Sequence, residues 1–228
     1  MYFYLPNLNT KIISKDYSGH FFAMRVKVGD QVKITDFKGT LQTVKVTFVD
    51  KKSKVIVFEI LGSCNVPKPP PKILFQAIPD KNYLEKIMEI IPFSSFTRIV
   101  LFKSHNSPKY LPDINRLNRI IIRSSQLAQK TWSIEIEAVV SLDKLAQEIK
   151  HANALVLNPN KENNCLTGDF SCIVGPEGGW SKAEIEYFES LGLQFASIGD
   201  MIYPSWLAGY SFDIMTRPNK INTKTFLN

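Results

Sequence analysis

The stretch Cys172-Ile173-Val174-Gly175-Pro176-Glu177-Gly178-Gly179-Trp180-Ser181-Lys182-Ala183-Glu184 constrains the fold more tightly than any other part of the chain. Ser171–Val174 is a short apolar run that reads as a buried strand, and it stops at a glycine–proline turn. Gly178 and Gly179 keep the backbone thin enough for a ligand to lie directly against it. Ser181 with Glu184 three residues on is a capping box, and Ile185 and Phe188 follow at helical spacing. Strand, glycine-rich turn and helix make a ligand cradle. The same residues also suit a tight strand-to-helix turn with no ligand. A nucleoside-triphosphate loop is a poor match, because its lysine and Ser/Thr are missing and Glu177 would repel phosphate.

From residue 73 onward, element types alternate around this stretch. Ile73–Ile78, Arg98–Phe102, Ser133–Val139, Ala154–Leu157 and Ala196–Ile198 read as strands. Tyr83–Ile91, Asp113–Gln129 and Ser141–His151 have helical spacing, the last with a Ser141 cap. Such alternation specifies an α/β domain with a mainly parallel sheet, whose ligands bind beyond the carboxyl ends of the strands. Gly175–Trp180 and Ile198–Tyr203 would both sit there. The tail from Arg217 to Asn228 is polar, has little periodicity and is expected to fray.

The opening of the chain is different. Gln31–Asp36, Thr40–Val49 and Lys54–Leu61 alternate or run in β-branched residues, with turn signals at Gly29-Asp30, Lys38-Gly39 and Asp50–Ser53. Several short strands so close together form a small barrel or sandwich. Val66-Pro67-Lys68-Pro69-Pro70-Pro71-Lys72 then reads as a stiff, extended linker. The expected division is therefore a β domain over 1–66, a linker over 67–72 and an α/β domain over 73–228.

Charge follows that division. Residues 1–72 carry 12 Lys/Arg against 5 Asp/Glu, whereas the remaining 16 of each sign cancel. A concentrated basic excess suits a polyanion, nucleic acid above all; a lysine-rich solvated surface is the alternative. Cys64, Cys165 and Cys172 show no metal-ligand spacing and read as reduced thiols of a cytoplasmic protein, with no metal expected. No secretory signal and no membrane span are visible in the sequence.

The string GPEGGW opening a helix, followed about twenty residues on by Ser197-Ile198-Gly199 and Ile202, resembles the signature of RsmE-type methyltransferases of the SPOUT class. The order His20, Arg25, Gly29-Asp30, Asp36 and Gly39 resembles that family's opening. The resemblance implies a SPOUT-type α/β domain with a C-terminal trefoil knot, preceded by a small PUA-like β-barrel that contacts RNA. It implies S-adenosylmethionine as cofactor and methylation at N3 of a uridine in small-subunit (16S) ribosomal RNA. Ribosomal RNA or the small ribosomal subunit would be the partner, and the chain would form a homodimer. Carried onto this sequence, the cofactor-binding residues are Leu157, Val174, Gly175, Glu177, Gly178, Ile198, Gly199, Ile202, Tyr203 and Ala208. RNA-binding candidates are His20, Arg25 and Lys27, with packing roles as the alternative for His20 and Arg25.

The sequence also departs from the family. Its last motif continues past the isoleucine as Leu-Arg-x-Glu-Thr-Ala, where this chain has Tyr203-Pro204-Ser205-Trp206-Leu207-Ala208. Pro204 stands in place of the arginine and Trp206 in place of the glutamate, and a proline cannot imitate a guanidinium. A Glu-Leu-Gly-Val segment aligns with Phe93–Phe96, and of a Glu-Ala-x-x-Gln segment only Gln126 is kept. Uridine N3 must lose its proton before it attacks, so a base or charge stabiliser is required. Tyr203 and Arg123, the latter reaching across a dimer, are the catalytic candidates. Two alternatives remain: a relative that binds RNA without transferring methyl groups, and a methyltransferase with another RNA target. Trp206, Leu207, Tyr210 and Phe212 read either as dimer surface or as the core side of a C-terminal helix.

Overall fold

In the first segment, alternation decides which side of each strand is buried. Val32 and Ile34, then Gln42, Val44 and Val46, then Ile56 and Phe58 point to one side, and their neighbours, buried Thr35 apart, are more exposed. The computed structural model describes residues 2–140, 142–160 and 168–217. Ser141, Cys165 and residues 218–228 of the tail lie outside the described residues. Two compact units form: Met1–Pro70 with Arg119–Ser133, and Pro71–Asn118 with Ile134–Asn228.

The first unit contains β1 (Tyr2–Tyr4), β2 (Ile12–Ile13), α1 (Lys15–Ala23), β3 (Gln31–Thr35), β4 (Thr40–Asp50) and β5 (Val55–Asn65). They make a five-stranded sheet in the order β1-β3-β4-β5-β2, a half-barrel in which β1 joins β3 in parallel and the other pairs are antiparallel. Its core includes Phe3, Ile13, Phe21, Ile34, Val44, Ile56 and Phe58. Arg119–Ser133, which the sequence places in the α/β domain, packs within this unit. There Gln126 Oε1 accepts the Tyr4 backbone N–H at 3.0 Å, and Trp132 Nε1 donates to the Val66 carbonyl at 2.9 Å. Gly39, at φ +98°, leaves room for the Trp132 ring, which a Cβ there would meet at 2.4 Å.

The second unit runs β6 (Ile73–Ala77), α2 (Lys81–Ile90), β7 (Arg98–Phe102), α3 (Ile114–Leu127, whose later turns belong to the first unit), β8 (Glu135–Val140), α4 (Leu142–Ile149), β9 (Ala154–Leu157), β10 (Ser171–Val174), α5 (Lys182–Ser190), β11 (Gln194–Ala196) and α6 (Ser205–Thr216). The six strands are all parallel, in the order β11-β9-β10-β6-β7-β8. Every residue of β6, β9 and β10 is buried, as expected for a sheet covered on both faces. One face holds Phe75, Phe102, Val156, Ile173 and Phe188 together with Leu145 and Ile149 of α4. On the other, α6 approaches so closely that a Cβ on Gly209 would meet Leu74 Cδ1 at 2.8 Å and Val174 Cγ2 at 3.6 Å.

Two details differ from the sequence reading, and a third bears on an alternative it left open. The last strand is Gln194–Ala196 rather than Ala196–Ile198, because Ala196 pairs with Leu157 and accepts the Asn158 N–H, after which the chain turns away. Lys72, the last residue of the expected linker, is a buried cation whose Nζ lies 2.8 Å from Asp213. Phe212 is core on α6, whereas Trp206, Leu207 and Tyr210 are half-buried.

Candidate functional site

Because β9 lies between β10 and β11, the ends of these strands bring Leu157, Val174 and Ala196 side by side. The segments that leave them, together with Tyr83 of α2 and the start of α6, enclose a cleft of about 510 Å³. That volume falls within the usual range for small-molecule sites. The walls are Leu157–Asn160, Val174–Trp180, Ala196–Ile198 and Met201–Ser205, with Ile185 and Ala208 behind.

Side chains beneath the glycine turn hold it in shape. Trp180 Nε1 donates to the Leu157 carbonyl at 2.9 Å, and its ring stacks on Phe102 and meets Phe188 edge-on. A Cβ at Gly175 would meet that ring at 3.1 Å, closer than ordinary contact, so the glycine eases the approach of turn and ring. Asn106 Nδ2, on the loop after β7, donates to the carbonyls of Gly178 and Gly179 at 3.0 and 3.1 Å. The capping box is present: Glu184 accepts from the Ser181 N–H and hydroxyl, and Ser181 Oγ accepts the Glu184 N–H. Glu184 also accepts the His105 N–H at 2.9 Å, which anchors the Asn106 loop. From the opposite wall, Ser205 Oγ donates to the Gly175 carbonyl at 2.5 Å and accepts from buried Gln76 Nε2 at 3.3 Å.

Nine of the ten expected cofactor residues line the cleft: Leu157, Val174, Gly175, Glu177, Gly178, Ile198, Ile202, Tyr203 and Ala208. Gly199 is not among the lining residues; at φ +84° it forms the turn that delivers Met201–Tyr203 to the rim. Met201 and Ile202 stand 69% and 81% exposed there. Gly178 contributes backbone, and its Cβ direction meets Asn106 Cβ at 2.9 Å rather than the cleft. Asn106, Ser205, Gln76 and Asn158 were missed by the sequence reading. They are single polar residues in unrelated segments, and only the fold brings them together.

The lining is nearly neutral. Glu177 is its one charged side chain among the described residues. Close by, burial first, then Asp80, Glu177 and Glu85, push the Tyr110 phenol up to about 12. Tyr110 keeps its proton and donates it to the Pro79 carbonyl at 2.8 Å.

The remaining candidates lie in the first unit. Arg123 is an exposed residue of α3 and is not part of the cleft lining. His20 lies in the last turn of α1 with its ring 5.2 Å from that of Phe3; burial and then Arg123 push its pKa below the usual imidazole range, so it is neutral at pH 7. Arg25 and Lys27 are exposed on the following turn, where Arg25 takes φ +56° and the Lys27 N–H bonds to Asp30 Oδ2 at 2.8 Å. Among the described residues no cluster of His, Cys, Asp or Glu could hold a metal ion, and no helix is long and apolar enough to cross a membrane. Cys64 and Cys172 are free thiols, and burial pushes the Cys172 thiol up.

A family model described as RNA methyltransferase domain matches residues 67–203. The chain is 26% identical over 192 residues to ribosomal RNA small subunit methyltransferase E of Helicobacter pylori, covering 78% of this chain and 81% of that protein. Its fold is similar to the crystal structure of a ribosomal RNA small subunit methyltransferase E from Neisseria gonorrhoeae bound to S-adenosyl methionine. That match has a TM-score of 0.81 at 18% identity and covers 93% of this chain and 94% of the other. A Legionella pneumophila protein solved with bound SAM and described as a methyltransferase gives 0.80 at 21% identity, over 94% and 96%.

Proposed function

Because the chain belongs to the RNA methyltransferase domain family, whose model matches more than half of it, we propose that it methylates N3 of a uridine in small-subunit ribosomal RNA, using S-adenosylmethionine. One observation carries the reading. The glycine turn after β10 and the Ile198–Tyr203 segment after β11 face each other across a cleft whose lining, among the described residues, has one carboxylate and no cation. Such a lining rejects polyphosphates and suits a ligand carrying sulfonium and ammonium charges. S-adenosylmethionine supplies an electrophilic methyl group. Leu157, Val174, Ile198, Ile202 and Ala208 would hold the adenosine by apolar contact, while Gly175 and Gly178 offer backbone and Glu177 faces the cationic end.

In this reading Tyr203 at the rim is the platform for the uracil ring. Arg123 would approach the reacting nitrogen only from a partner copy, so a homodimer belongs to the same proposal. So do the knotted arrangement of the two cleft loops, a cytoplasmic setting among ribosomes, and an RNA contact by the 1–66 sheet through His20, Arg25 and Lys27. His20 would meet RNA as a neutral ring. The second reading, RNA binding without transfer, is favoured by Pro204 and Trp206, which leave the 203–206 segment with no ionisable group besides the Tyr203 phenol. Unmodified small ribosomal subunits with radiolabelled cofactor separate the two. Methyl incorporation at a single uridine supports the proposal; cofactor binding with no incorporation supports the second reading.

A further inference from the structure

Lys86 sits on α2, one turn beyond Tyr83, which lines the cleft. Its Nζ lies 5.2 Å from the centroid of the Tyr83 ring and 5.1 Å from that of Trp206. Trp206 follows directly on Pro204 and Ser205, which also line the cleft. The ammonium is thus held between aromatic rings from two walls of the site, and among the described residues no carboxylate pairs with it. The contrast is with Arg116, also near α2, whose guanidinium is taken up by Glu85 at 2.7 and 2.9 Å.

Aromatic faces attract a cation without neutralising it, and two of them restrict where a flexible lysine stem can go. The result is a positive charge held beside a lining that has none among the described residues. Any nucleic acid entering this mouth brings phosphates, and Glu177 on the lining repels them.

We propose that Lys86, clasped by Tyr83 and Trp206, is an anchor for a phosphate of the substrate RNA at the mouth of the cleft. The inference rests on the RNA methyltransferase reading for the identity of the polyanion. Lys86 is a positioning residue: it touches the backbone next to the target nucleotide, and the base itself is left to other groups. Trp206 acts through the lysine, by holding it.

The test uses the full chain with labelled small-subunit ribosomal RNA across a range of salt concentrations, and calorimetry with S-adenosylmethionine in parallel. Lys86→Met keeps the stem and removes the charge. It should weaken RNA binding roughly tenfold at low salt and flatten the salt dependence by about one phosphate contact, with cofactor affinity unchanged. Lys86→Arg should restore both RNA readouts. Unchanged affinity and slope in Lys86→Met would overturn the proposal. Loss of cofactor binding or of folding together with RNA affinity would overturn it too, since the lysine would then be part of the scaffold. A wild-type protein that binds no S-adenosylmethionine, yet shows the Lys86-dependent slope, would remove the methyltransferase reading and leave the anchor standing.

Discussion

Arg25 shows how a single residue can reveal competing demands. It follows the last turn of α1 with φ +56°, and its N–H bonds to the Phe22 carbonyl while Val26 bonds to Phe21. That is the place where a helix end favours glycine, because a Cβ in the left-handed region costs roughly 1 kcal/mol. An exposed arginine kept there at such a cost fits a surface selected for binding. Arg25→Gly is therefore expected to raise stability by about 0.5–1 kcal/mol while weakening RNA binding. Urea unfolding and filter binding read the two effects separately. A variant that is no more stable and binds RNA as before would assign Arg25 to neither role. At the same scale, Ser205 ties the two cleft walls together. Its hydroxyl satisfies the Gly175 carbonyl and is itself held by Gln76, so the turn and the start of α6 are tied to each other.

Among the elements, α6 is locked to the sheet by one buried carboxylate. Asp213 is fully buried, ion-paired with Lys72 and bonded to Ser95 and Arg217. Burial alone would raise its pKa, but the bonds from Lys72 and Ser95 outweigh that and hold it below the ordinary carboxylate value. With the folded pKa depressed, Asp213 contributes stability fully above its unfolded pKa of about 4 and loses it as pH falls through the folded value. Asp213→Asn should cost about 3–5 kcal/mol by leaving Lys72 buried and unpaired, and should blunt acid unfolding below pH 4. Equal acid transitions in variant and parent would contradict this role. Neither Lys72 nor Asp213 could be singled out in the sequence, since they stand 141 positions apart and meet only once β6 and α6 are packed. What could be read was local. The Ser181–Glu184 capping box, the apolar runs Ile73–Ala77 and Arg98–Phe102, and the two cleft loops all announce themselves within a few residues. Strand β1 and helix α1 do not. Tyr2–Tyr4 is a strand because of its pairing with Lys33–Thr35, and α1 carries Gly19 and lacks a side-chain cap.

For the molecule as a whole, the proline-rich segment is not a clean place to cut. Arg119–Ser133 belongs with Met1–Pro70, and Trp132 fills the space that Gly39 leaves. A fragment of residues 1–72 lacks that ring and the Gln126 bond to Tyr4. It should melt well below the full chain and regain stability when residues 119–133 are linked to it; thermal melts of the two fragments decide this. The proposed function depends on the cleft. Calorimetric titration of the full chain with S-adenosylmethionine, run beside Gly178→Val, tests it most directly. A side chain at Gly178 would strike Asn106 and displace the turn that both Asn106 and Ser205 hold. Saturable one-to-one binding by the parent and none by the variant is expected, with melting curves showing both folded. A parent that does not bind, or a folded variant that binds equally well, would contradict it.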